Sequence, residues 1–385
     1  MRRPRRNAAL SIAVQLVFGG YLYLLYRSDD KSIAMDLINK SWKPPETGHR
    51  FVALASCKTR LGNQMYRLLS GYGMARRLNR KLFFLINPSH LHVLRYYSKM
   101  DLAFPKLAND NILKRSSSLS GLPRVKGSEH LPFDVISAEV EYTVVPNAQS
   151  DEGRQLCYHY DDPLTYADHP AKFLVLNQIY AQNVRYFQDY LPEIRSLLEF
   201  SPLLRRRGER ILKQLGSYIT NSMCIHIRQG DYATAMESSL NSTSTISAIR
   251  LLASRHNLSR YFLFGDDQSY MKGLASELTN IDEGKAGIAA YSVYDELEDF
   301  YLASRLCNTF LIARAVSTFG WWLAFFVQNQ NAVYYMYDSD DKLQIPEFFL
   351  PTWKQLFDWE INATSSENFS GRSDNLVSNL TQLFH

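Results

Sequence analysis

The sequence predicts an α/β protein built in two halves, and three observations predict it. Between Phe51 and Ile86 the chain reads as strand, glycine-bearing loop, helix and strand, which implies a parallel pair with a right-handed crossover. From Ser222 onward, short apolar runs alternate with helical patterns, the mark of a doubly wound sheet. The 385 residues suffice for two domains with a large core.

Composition narrows the class. The chain is 46% hydrophobic and 21% charged, with a net charge of +5. Apart from the N-terminus and Arg205–Arg207, the basic residues are dispersed. That argues against a nucleic-acid partner, and Arg205–Arg207 read as the solvated face of a helix.

The N-terminus predicts a membrane anchor. Arg2, Arg3, Arg5 and Arg6 precede an uncharged run, 8–26, of about 19 residues. The basic flank puts residues 1–7 in the cytosol, and Tyr21, Tyr23 and Tyr26 suit the far interface. A cleaved signal peptide would need a shorter apolar core and a small-residue cleavage site, and Arg-Ser-Asp-Asp-Lys follows instead. Residues 27–50, ending near Pro44 and Pro45, read as a stem. The remainder is then expected to be lumenal. Glycosylation sequons stand at Asn39, Asn241, Asn257, Asn362, Asn368 and Asn379. Cys57, Cys157, Cys224 and Cys307 allow two disulfides in three connectivities, while Cys224, inside an apolar strand, also suits a buried thiol.

The first domain is expected over 51–200. Phe51–Ala55 reads as a buried strand, and Met65, Leu68, Leu69, Tyr72, Ala75 and Leu78 recur at helical spacing. Lys81–Ile86 is the next strand. The loop between them holds Arg60, Gly62, Asn63 and Gln64, where glycine lets backbone approach a ligand and the helix N-terminus attracts anions. A plain strand-to-helix turn gives the same pattern. The loop lacks both G-x-G-x-x-G and a Walker lysine. Residues 88–180 read as loop-rich around an acceptor groove, with strands near Val140–Val145 and Phe173–Leu176.

The second domain is expected over 201–356, after helices within 183–215 that split near Pro202, and 357–385 form a tail. Met223–Ile227 is a buried strand that delivers His226, Arg228, Asp231 and Tyr232 to its C-terminal end, with Gly230 at the turn. Ligands bind at such ends in open α/β sheets, and an arginine there can fork onto a diphosphate. Further elements follow at 245–255 (helix), 261–264 (strand), 296–306 (helix), 309–313 (strand), 318–328 (helix) and 332–337 (strand). Ser317 is an N-cap candidate and Thr318 opens a helix, so both suit either capping or an anion. Trp321 and Trp322 are expected to pack that helix on the sheet. Asp266 and Asp267 end a strand, where a carboxylate serves a guanine edge or ribose, a solvated turn or a metal.

The segments RLGNQMYRLLSGYGMARRLNRKLFF, HIRQGDY, YFLFGDD and STFGWWLAFF, in that order, resemble the motifs of glycosyltransferase family 11, the α-1,2-fucosyltransferases. The likeness covers roughly 51–340. It implies a GT-B-like fold, two Rossmann-like domains facing a cleft, behind one N-terminal transmembrane helix. It implies an inverting, metal-independent transfer of fucose from GDP-fucose to a galactose-type hydroxyl of a glycan, with no cofactor. The anchor and stem also fit a single-pass Golgi membrane protein with a lumenal catalytic domain.

By that resemblance Arg228 neutralises the diphosphate, and His226, Asp266, Asp267, Ser317, Thr318 and Phe319 bind the donor. Arg60, Gly62, Asn63 and Gln64 face the fucose and acceptor. Arg228, Asn63 and Asp231 are the catalytic candidates, with Asp231 a base on spacing alone and equally a brace for its loop. The chain departs from the family at Gln229, where a second arginine is usual, at Arg314–Val316, and at Leu323. Three other readings stay open: a fucosyltransferase of α-1,6 or protein O-linkage, a metal-dependent enzyme using Asp338 and Asp340, and an anchored sugar-binding protein without catalysis.

Overall fold

The structure, a computed structural model, describes residues 50–109, 158–178, 180–216, 221–230, 240–279, 287–336, 346–357 and 360–361, with short pieces between 122 and 145. The expected anchor lies outside the described residues, as do the stem apart from residue 50 and the tail apart from 357 and 360–361. So do Asp231, Tyr232, Cys157, Asp338 and Asp340, and the sequons at Asn39, Asn362, Asn368 and Asn379.

In the first half, β1 (Phe51–Leu54) leads into α1 (Leu61–Arg77), β2 (Lys81–Leu82) and β3 (Phe84–Ile86). Then come α2 (Leu94–Ala103), β4 (Val135–Ser137), β5 (Thr143–Val145) and β6 (Phe173–Leu176). A parallel sheet runs in the order β2-β1-β6-β5. The strand expected over Lys81–Ile86 is two strands in different sheets: β2 pairs with β1, and β3 pairs with β4. The continuous apolar run Leu82–Ile86 hides that division: Leu82 packs half-buried against the core, and Phe84–Ile86 are buried. Helix α2 was not expected within the loop-rich stretch.

The second half begins with α3 (Leu191–Leu197) and α4 (Pro202–Leu215), and the break between them is set by Ser201 as N-cap and Pro202 in the first turn. Next are β7 (Ser222–Ile227), α5 (Ser242–His256), β8 (Arg260–Gly265), α6 (Gln268–Thr279) and β9 (Ile288–Tyr291). The chain continues through α7 (Glu296–Leu306), β10 (Cys307–Ile312), α8 (Thr318–Phe326), β11 (Val333–Met336) and β12 (Lys354–Leu356). The sheet order is β12-β11-β10-β7-β8-β9, every pair parallel. Strand β12 extends the sheet beyond β11, where the sequence reading ended it; three residues carry too little pattern to read.

Parallel strands buried on both faces explain the apolar β7, β8 and β10. Helix starts are fixed locally. Asp295 and Glu298 form a capping box on α7, and Asn241 caps α5. Cys224 and Cys307 are disulfide-bonded between β7 and β10, so Cys224 is not a free thiol; Cys57 is buried and has no disulfide partner among the described residues.

The two halves share one core. Trp321 and Trp322 are fully buried, as expected for packing residues, and both rings meet the buried Tyr66 of α1 edge-on at 5.0 and 5.8 Å. Each polar tip is satisfied. Trp322 Nε1 donates to Gly62 O at 2.9 Å, while Trp321 Nε1 and Tyr66 Oη both donate to Phe348 O. Two parallel α/β halves facing a cleft is the arrangement the resemblance implies.

Candidate active site

A cavity of about 580 Å³ opens between the halves. Arg60, Gly62, Asn63, Tyr180 and Gln182 line it from one side; His226, Arg228, Asp266, Asp299, Thr318 and Phe319 line it from the other. The carboxyl end of β7 and the start of α8 thus reach one space, as expected for an open parallel sheet.

The arginine loop is braced by Asp266. Arg228 Nη1 donates to Asp266 Oδ2 at 2.5 Å, and Asp266 Oδ1 accepts from the backbone N–H groups of Gln229 (2.9 Å) and Gly230 (3.2 Å). Both oxygens are engaged in holding the arginine loop, a task not expected of Asp266, which also lines the cavity. A Cβ at Gly230 would lie 3.2 Å from Asp266 Oδ2, which makes glycine the residue that admits this close approach. Gln229 Oε1 accepts from Leu240 N at 2.9 Å and so ties the far end of the loop. An arginine has no acceptor for that bond. Asp267 is also placed differently. It is absent from the cavity wall, and its Oδ1 accepts from Tyr270 N at 2.9 Å at the start of α6.

Two helix N-termini meet beside Arg228. A Cβ on Gly62, in the first turn of α1, would lie 2.8 Å from Phe319 N and 2.9 Å from Thr318 Oγ1, in the first turn of α8. Unpaired N–H groups and aligned dipoles make each such end attractive to an anion, and here two adjoin. Ser317 Oγ accepts from Gly320 N at 3.3 Å, so it is the N-cap. Thr318 Oγ1 donates to Asn63 Oδ1 at 2.6 Å across the interface, where a phosphate oxygen was expected. Gln182 Nε2 donates to the same oxygen at 2.8 Å.

Gln64 does not face the cleft. It is 1% exposed and donates to Cys57 O (3.1 Å) and Thr59 Oγ1 (2.8 Å), and Tyr97 Oη donates to it. One residue on from Asn63 along a helix is a different face, so Gln64 stiffens the loop that carries Arg60.

His226 lines the cavity but is otherwise buried, and a Cβ on Gly320 would approach its Nδ1 to 2.5 Å. That Nδ1 meets no hydrogen-bond partner among the described residues. Burial pushes its pKa down to about 4, against a smaller opposing pull from Asp266, so the ring is neutral at pH 7. Phe319 stacks obliquely on Phe300 at 5.0 Å and borders His226.

Asp299 was missed by the sequence reading. It sits on α7, is 6% exposed, lines the cavity and accepts from Ser292 Oγ. Burial above all pushes its pKa up to about 8. The Ser292 bond opposes the rise, while Asp295, Glu298 and Glu296 add to it. At pH 7 it carries its proton. Nothing in its spacing sets it apart from Glu296 and Glu298 in the same first turn. At the mouth, Lys99 of α2 bridges the halves by ion pairs to Asp295 (3.0 Å) and Glu296. Among the described residues there is no cluster of three or more side chains suited to a metal.

Residues 158–356 match the family described as Glycosyl transferase family 11. A galactoside 2-α-L-fucosyltransferase of Caenorhabditis elegans is 29% identical over 306 residues, covering 77% of this chain and 76% of that protein. A second protein of the same name and organism is 24% identical over 329 residues, covering 77% and 74%. A solved structure, the fucosyltransferase NodZ from Bradyrhizobium, has a TM-score of 0.41 at 15% identity, covering 73% of this chain and 94% of that one. The family match spans more than half of the sequence, and the chain belongs to glycosyltransferase family 11.

Proposed function

We propose that the protein transfers fucose from GDP-fucose to a galactose-type hydroxyl of a glycan, with inversion, forming an α-1,2 linkage. The observation that carries this reading is the convergence of Arg228 and two helix N-termini on one cavity. Cleaving a sugar–phosphate bond places growing negative charge on the departing GDP. Fixed cations and N–H dipoles in a closed site stabilise that charge without reorganising. The galactoside and α-1,2 assignments draw on the names of the C. elegans relatives.

Asp299 suits the guanine end of the donor. The N1–H and the 2-amine of guanine are both donors, and an ionised carboxylate accepts from both. Phe319, held by Phe300, offers an apolar wall nearby. Asn63 and Arg60 reach the cleft from the other half, where the acceptor enters.

The deciding experiment incubates the lumenal region with GDP-fucose and galactose-terminated acceptors in EDTA, then assigns the product linkage. An α-1,2 product is expected. Absence of product, or another linkage, overturns the reading; activity only on adding Mn²⁺ overturns its metal-free part.

The chain is further proposed to be a single-pass Golgi protein anchored through 8–26, with 27–50 as stem. The Cys224–Cys307 disulfide supports an oxidising compartment, and the sequons at Asn241 and Asn257 lie exposed at the two ends of α5. Protein made in secretory cells behind a cleavable signal and lacking 1–27 is expected to be soluble and to shift in mobility after endoglycosidase. Retention on carbonate-washed membranes overturns the anchor, and unchanged mobility overturns the lumenal placement.

A further inference from the structure

Tyr180 and Gln182 stand on one wall of the cleft, and the backbone between them is held in an uncommon shape. Ala181 has φ 49°, the left-handed region that disfavours a residue with a Cβ. Contacts on both sides impose it. Ser70 Oγ donates to Ala181 O at 2.7 Å, and the fully buried Asn183 donates to Tyr158 O (2.9 Å) and Glu347 Oε2 (2.8 Å). Strain held by its surroundings marks a place where a side chain must point one way. The side chain so aimed is Gln182, which is 4% exposed and donates to Asn63 Oδ1.

Asn63 Oδ1 therefore accepts twice, from Gln182 of the same half and Thr318 of the other. An amide with its oxygen saturated in this way has one orientation. Its Nδ2 makes no hydrogen bond to the described residues, and Asn63 lines the cavity. We propose that Gln182 is a positioning residue for the transfer reaction, holding the Asn63 amide with Nδ2 open to the cleft as a donor to the departing diphosphate. This role rests on the proposed function. Asn63 then acts beside Arg228 and the two helix N-termini, and Gln182 acts only through Asn63.

The test is a double-mutant cycle on the full chain with GDP-fucose and a galactose-terminated acceptor. Gln182→Glu keeps the shape but cannot donate; its carboxylate repels Asn63 Oδ1 and attracts Nδ2, which turns the amide over. The kcat is expected to fall about 100-fold, the order for losing one donor aimed at developing charge, while KM for GDP-fucose stays within about threefold. Asn63→Ala should lose as much, and adding Gln182→Glu to it should cost nothing more. Gln182→Leu, which deletes the donor without adding charge, should fall less than Gln182→Glu and also vanish in the Asn63→Ala background. It keeps the test decisive where the glutamate variant does not fold. Losses that multiply in the double variants, or near-normal kcat for both single Gln182 variants, overturn the role. Wild-type protein without GDP-fucose turnover overturns the proposed function and this role together, whereas active wild type with an uncoupled cycle overturns this role alone.

Discussion

Arg228→Ala is expected to lower fucose transfer by at least ~100-fold. A charge-assisted contact is worth about 1.5 to 3 kcal/mol. Each ~1.36 kcal/mol is tenfold in rate, so the contact alone gives roughly 10- to 100-fold. The structure raises that figure. Asp266 Oδ2 loses its partner and remains as a carboxylate on the cavity wall, beside the place where the diphosphate gathers charge. The loss in kcat should exceed the loss in GDP affinity, because charge on the leaving group grows toward the transition state. Arg228→Lys keeps the charge without the fork and should fall between. Adding Asp266→Asn to Arg228→Ala removes the orphaned charge, keeps an oxygen for the N–H groups of Gln229 and Gly230, and should recover part of the activity. Steady-state kinetics and GDP titration on folded variants check this; near-normal turnover of Arg228→Ala would place the chemistry elsewhere.

Asp299→Asn is expected to weaken GDP binding by about 10- to 100-fold at pH 8, for two charge-assisted bonds less the cost of ionising the acid. The asparagine keeps an oxygen for Ser292 but turns an NH₂ donor toward a guanine donor. The pH dependence has a definite sign. Bonds from guanine favour the ionised carboxylate, so binding lowers a pKa that stands at about 8 in the free protein and releases a proton. Affinity should rise with pH up to about 8 and level off above it. The slope should disappear in Asp299→Asn. Inosine diphosphate, lacking the 2-amine, should bind the wild type more weakly than GDP. Calorimetry in buffers of different ionisation heat counts the proton directly. A flat pH profile for the wild type, or equal GDP affinity in the variant, removes Asp299 from the guanine site.

What could be read from the sequence was local. The period of α1, the strand patterns of β7, β8 and β10, and the Ser317 cap each lie within a few residues, so the α/β class and the loops of the site were legible. The tasks of polar residues were not, because their partners are distant in the chain. Asp266 and Asp267 are neighbours of one type, yet one clamps a loop 36–38 residues earlier and the other caps the next helix. Gln64 lies in a motif but turns to Cys57, Thr59 and Tyr97. Asp299 carries no spacing signal at all; only its burial against the cavity distinguishes it from the acids beside it. The split of Lys81–Ile86 between two sheets has the same origin, since one apolar run fits either.

The contact between Gly62 and the first turn of α8 also bears on how such proteins can diversify. The two halves of this chain are not independent cassettes. Gly62, Asn63 and Tyr66 form one surface with Thr318, Trp321 and Trp322, so a chimaera that pairs a foreign first half with this second half replaces one side of a fitted joint. New acceptor preferences would instead arise in the loops at the cleft rim, leaving the joint unchanged.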